Sequence, residues 1–189
     1  MEIVEKIARG RENVLIEAYI LNGPSELKNA LNLNEEAWSR VFDYLVFEHN
    51  LLFKTVANSV QFFMDQYIEG GTSAVREILD VLDSKYDSIF ENVFDFLAIS
   101  NDALYYHVMH NRDKYSLAMK TRGGDFVRKV LGIWKEKYSE NWARILDLLL
   151  ATVCNDLFTE RTFDQGLSAF NKIVNGTRTH RPVIEPGIL

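Results

Sequence analysis

Residues 23–63 read GPSELKNALNLNEEAWSRVFDYLVFEHNLLFKTVANSVQFF, and how this stretch divides decides the fold. Asn22-Gly23-Pro24-Ser25 closes a first helix expected over about 3–21, with Arg9-Gly10-Arg11 a candidate interruption. Ser25 to Leu31 reads as a short second helix, and Leu31-Asn32-Leu33-Asn34 as a tight turn. Asn34 then caps a third helix, Glu35 to His49. Its first turn carries Glu35 and Glu36 where the helix dipole favours them, and Asn50 suits a left-handed C-cap. Beyond Asn50 the expected period changes from helix to strand. Leu51–Val56 and Val60–Phe63 are rich in β-prone residues, and Ala57-Asn58-Ser59 between them reads as a hairpin turn.

Helix, helix, turn, helix and a two-stranded ribbon is the order of a winged helix-turn-helix. With Leu27, Ala30, Leu31 and Leu33 at the turn and Trp38, Val41, Phe42, Leu45 and Val46 on the inner face, the module resembles MarR- and ArsR-type regulators. It equally resembles the N-terminal dimerisation domain of S-adenosylmethionine-dependent O-methyltransferases, with Tyr67-Ile68 standing where that domain carries a Tyr-Leu pair. Methyltransferase chemistry itself is not expected. No two glycines are separated by a single residue, so the glycine-rich turn that approaches such a cofactor has no counterpart. No cofactor and no enzymatic activity are expected. Four histidines and one cysteine offer no nucleophile with a base at motif spacing.

The composition is that of a globular protein, with 47% hydrophobic and 25% charged residues. The lone Cys154 rules out an intrachain disulfide and points to a cytoplasmic setting. The longest run without Asp, Glu, Lys, Arg or His is Thr55 to Met64. A bilayer-spanning helix needs about 20 apolar residues, so no membrane association is expected.

Between Pro24 and Pro182 there is no proline, and after Gly70-Gly71 helices are expected at about 73–98, 101–121, 124–138, 140–159 and 162–175. The predicted architecture is therefore mainly α. A winged helix-turn-helix with a small β-hairpin (1–70) precedes an all-helical dimerisation and effector domain of about five helices (71–176) and an extended tail (177–189). No internal repeat is evident at this level.

Net charge is −6, unevenly distributed. Residues 1–70 hold 6 basic against 11 acidic residues, whereas residues 112–137 hold 8 against 3. Ser39, Arg40, Lys54 and Asn58 are the candidate DNA contacts of the winged module. Residues 93–119 resemble the recognition helix of TetR-type repressors, through Ile99-Ser100, Leu104-Tyr105-Tyr106-His107, Tyr115 and Ala118. That resemblance implies DNA contact near Arg112, Lys114, Lys120 and Arg122. Tyr105, Tyr106, Trp134 and Trp142 could line a small-molecule effector site. His107, His110 and Asp113, one turn apart in succession, are a candidate metal triad. The sequence thus suggests a homodimeric, double-stranded-DNA-binding transcriptional regulator whose helical body senses a small-molecule effector. The rival expectation is a non-enzymatic dimerisation or scaffold protein.

Overall fold

A computed structural model describes residues 2–160 and residue 171, with side chains from 3 to 155 and at 171. Ten α-helices are found among the described residues: α1 (Glu2–Ile7), α2 (Glu12–Ala30), α3 (Glu35–His49), α4 (Leu51–Asn58), α5 (Val60–Ile78), α6 (Asp87–Phe94), α7 (Ala103–His110), α8 (Arg112–Arg122), α9 (Gly124–Val130) and α10 (Ser139–Glu160). Short 3-10 turns at Ser84–Tyr86 and Glu136–Tyr138 and a π-helical turn at Asp95–Ser100 complete them. The mainly α expectation holds. The helix expected at 162–175 and the tail at 177–189 lie outside the described residues, apart from residue 171.

The first half of residues 23–63 folds as the sequence suggests. Gly23 breaks α2 at φ 78, ψ 174. Asn34 caps α3 by accepting a hydrogen bond from the Ala37 N–H at 2.8 Å, and Asn50 closes α3 in the left-handed conformation at φ 55. The second half differs, because the expected hairpin is helical. Residues 51–58 form α4, Ser59 (φ −133) is the break, and α5 runs on from Val60 through the expected 70/71 boundary, turning at Gly71. No strand occurs among the described residues. The physical reason is burial period. Leu51, Leu52, Thr55 and Val56 are all buried, a spacing that only a helix places on one face. Thr55 Oγ1 donates to the Leu51 carbonyl one turn back at 2.8 Å, so its hydroxyl is satisfied within the helix. Packing has overridden the β-propensity of this run.

An internal repeat, not evident in the sequence, emerges from the backbone. Gly23, Gly71 and Gly123 share one unusual conformation (φ 78, ψ 174; φ 68, ψ −158; φ 81, ψ 171). Each is followed eight residues on by a leucine that ends a helix, Leu31, Leu79 or Leu131, with φ between −77 and −82. Next comes a left-handed residue: Asn32 (φ 52), Asp80 (φ 56) or Gly132 (φ 71). The N–H groups of Leu33, Val81 and Ile133 then each donate five residues back, to the carbonyls of Lys28, Arg76 and Arg128. Helix starts recur in the same register at Arg11, Ser59 and Asn111. So do the core residues Leu15, Phe63 and Tyr115; Tyr19, Tyr67 and Met119; Trp38, Tyr86 and Tyr138; and Leu45, Val93 and Ile145, each at most 5% exposed. One helical module, begun at residues 2, 50 and 102, is therefore written three times.

The chain divides into two compact units, 1–107 and 108–189. In the first, the second module stacks on the first through α2 and α3 against α4, while α1 packs on α3 within the first module. The Tyr19 hydroxyl donates to the Leu79 carbonyl at 3.0 Å, joining the turn of the second module to the first. The Tyr86 ring meets Phe42 edge-on and stacks on Phe47, with both centroids 5.7 Å away. In the second unit, α8 packs against α9 and α10. One face of α10 is buried, through Ile145, Leu149 and Val153, while Ala143, Arg144 and Asp147 are exposed.

Candidate functional site

The first turns of α4 meet the end of α6 and the following π-helical turn at an open cleft of about 650 Å³, lined by Asn50, Phe53, Lys54, Asn92, Asp95, Phe96 and Ser100. Each lining residue is placed by local chemistry. Asn50 can hold the left-handed conformation that reverses the chain from α3 into α4. Because Leu51 and Leu52 are driven into the core, Phe53 and Lys54 fall on the outer face. On the opposite wall, α6 widens into a π turn over Asp95–Ser100, and such turns often accompany sites that aim side chains. The turn is held by Asn101, whose side-chain amide donates to the Phe96 carbonyl.

Phe53 and Phe96 make one aromatic wall, with ring centroids 5.1 Å apart at 60°. Phe53 remains 40% exposed. Lys54 and Asp95 are the only charged residues of the lining, so the cleft carries one cation and one carboxylate. Among the described residues no ion pair engages Lys54, and no hydrogen bond engages the side chains of Asn50, Asn92 or Ser100. The cleft therefore offers one aromatic surface, one uncommitted ammonium, two uncommitted amides and a hydroxyl. That set can bind a ligand through stacking, charge and hydrogen bonds.

The residues expected to contact DNA are dispersed. Ser39 is half-buried, and Arg40 is engaged by Glu36 at 2.6 Å. Lys54 belongs to the cleft and Asn58 is exposed at the end of α4. In the second unit, Arg112 and Lys114 are exposed at the start of α8, Lys120 is half-buried near its end, and Arg122 lies 3.4 Å above the Phe126 ring. Of the four aromatics expected around an effector, Tyr105 and Tyr106 meet edge-on at 6.0 Å in the first unit. Trp134 and Trp142 belong to the second unit, where Trp134 is 48% exposed beside Arg128. The candidate metal triad does not assemble. His107 is buried, its Nδ1 is 2.8 Å from the Ile68 carbonyl and its ring lies against Tyr67. His110 is exposed, and no cluster of three metal-ligating side chains occurs among the described residues.

Sequence reasoning reached Lys54 but missed Phe53, Asn92, Asp95, Phe96 and Ser100 as its neighbours. The recurrence could have found part of this set. Phe53 and Asp95 correspond to Tyr105 and Asp147, each 52 residues further on, so an aromatic and an acid recur at the same module positions. No helix among the described residues is long and apolar enough to cross a membrane. Compared with family models, curated proteins and solved structures, the chain matches none.

Proposed function

We propose that this chain is a non-enzymatic interaction scaffold built from tandem helical modules. The observation that carries the reading is the triple recurrence of the Gly23, Gly71 and Gly123 break with its leucine and left-handed turn. Proteins assembled from such repeats place side chains on regularly spaced surfaces and serve mainly to bind partners. The exposed apolar residues Val14, Phe53, Phe62, Leu82 and Trp134 supply contact area for that role. Burial raises the pKa of the Cys154 thiol, which argues against its use as a nucleophile.

The test is site-resolved cross-linking. A photoreactive side chain is placed in the full chain at Val14, Phe53 or Leu82, with the exposed Glu17 as control. A discrete protein adduct at one of the three, suppressed by excess unlabelled chain, supports a scaffold. Adducts at none of them, or equal labelling at Glu17, would remove it.

A second reading rests on the exposed cations of α8. Arg112, Lys114 and Arg122, with Arg128 and Lys129 of α9, could meet nucleic acid phosphates in a homodimeric regulator. An electrophoretic shift of duplex DNA at low salt, abolished by Arg112→Ala with Lys114→Ala, is the outcome it requires. The absence of a shift at about 50 mM salt would exclude it.

A further inference from the structure

We infer that the cleft of the second module takes an extended peptide segment of a partner protein, one that sets a carboxylate beside an apolar side chain. This assignment rests on the scaffold reading and names the class of partner. Extended backbone presents alternating N–H and C=O groups. A side-chain amide is both donor and acceptor, so Asn50 and Asn92 can pair with such a chain regardless of its side chains. The Phe53–Phe96 wall offers the apolar surface on which one side chain can lie. Lys54, with no ion pair among the described residues, selects a negative group.

The same residues disfavour other occupants. A nucleic acid strand would bring successive phosphates past Asp95, with a single lysine to neutralise them. A fully apolar segment would bury Asn50, Asn92 and Ser100 without partners, at the usual cost of unpaired polar groups. An acidic–apolar peptide brings a single carboxylate to Lys54, an apolar side chain to the Phe53–Phe96 wall and backbone groups to the Asn50 and Asn92 amides. The cleft is open to solvent rather than enclosed.

The experiment uses the full chain, isotope-labelled and followed by nuclear magnetic resonance. The probes are three end-blocked peptides of sequence proline–leucine–X–leucine–proline, in which X is glutamate, glutamine or lysine. The glutamate peptide is expected to move the side-chain amide signals of Asn50 and Asn92. It should bind roughly three- to tenfold more tightly than the lysine peptide, the scale of one exposed charge contact. Lys54→Glu should invert that order, and Phe53→Ala should weaken all three peptides. Both side chains are exposed, so neither variant removes core packing, and an unchanged amide spectrum elsewhere verifies the fold. The assignment is overturned if no peptide moves the Asn50 and Asn92 signals at millimolar concentration. A charge preference indifferent to Lys54→Glu overturns it equally. Cross-linking at Val14 or Leu82 in the face of such a result would leave the scaffold standing and remove only this cleft.

Discussion

The Tyr86 hydroxyl donates to Oδ1 of Asp43 at 2.7 Å, tying residues 43 positions apart and clasping the second module to the first. Lys85 reaches the same carboxylate, with its ammonium 3.0 Å from Oδ2. Asp43 thus sits at a two-pronged junction, with the Tyr86 ring packed between Phe42 and Phe47 behind it.

Removing only the hydroxyl with Tyr86→Phe keeps the ring packing and loses one hydrogen bond to a charged acceptor. The expected cost is about 1–2 kcal/mol in urea unfolding. Asp43→Asn should cost a similar amount. The double variant should cost less than the sum, because both changes break one bond. Strict additivity would mean that the pair is not coupled.

Alkali should loosen the same junction. Burial, then the bond to Asp43, push Tyr86 up from 10.0 to about 12, and burial also raises Tyr19 and Tyr115. Below pH 10.0 these tyrosines are protonated in both states, and their contribution is fully present. Between pH 10.0 and about 12 the unfolded chain ionises at Tyr86 while the folded chain does not, so stability falls across that window. Tyr86→Phe should make the fall shallower in a pH series of unfolding midpoints. An unchanged slope would contradict the shift.

The three glycine breaks should not tolerate substitution equally. All have φ between 68 and 81 with ψ close to ±180, a region essentially reserved for glycine, where another residue costs on the order of 1–3 kcal/mol. At Gly23 and Gly123 an added Cβ meets nothing within 4 Å, so Gly→Ala carries the backbone term alone. At Gly71 the added Cβ would stand 3.3 Å from Cε1 of the buried His107. Thermal unfolding should rank Gly71→Ala as the most damaging of the three. Equal losses would mean that the His107 ring gives way freely.

The turn cation should matter where it is used. Arg76 donates to the Val81 carbonyl, pairs with Asp87 at 2.8 Å and lies 4.3 Å from the centre of the Phe90 ring. Its counterpart Arg128 donates to the Ile133 carbonyl at 2.9 Å. Arg76→Ala is expected to cost about 1–2 kcal/mol by chemical denaturation, with Arg76→Lys recovering only part because lysine lacks the planar fork. A full recovery would show that charge alone is needed.

The sequence made the caps and breaks readable, because Asn34, Asn50 and Gly23 act through local chemistry that spacing exposes. Residues 51–63 misled because Phe, Thr and Val favour strands on average, while their burial partners lie far away in sequence. Leu52 and Val56 are enclosed by the packing of α4 against α2 and α6, which no local window contains. The repeat escaped notice for a related reason. Its invariant is a conformation rather than an identity: Asn32, Asp80 and Gly132 share a left-handed backbone but not a side chain. The cleft was legible only at Lys54, since its opposite wall arrives from a π turn about forty residues later.

Backbone and Cβ chemical shifts of the full chain across residues 50–81 are the most direct check. Three repeated helical modules require helical shifts over Leu51–Asn58 and Val60–Gly70, and left-handed values at Asn50 and Asp80. Extended shifts over 51–56 and 60–63, with cross-strand contacts between them, would restore the β-hairpin and dissolve the second module along with its cleft.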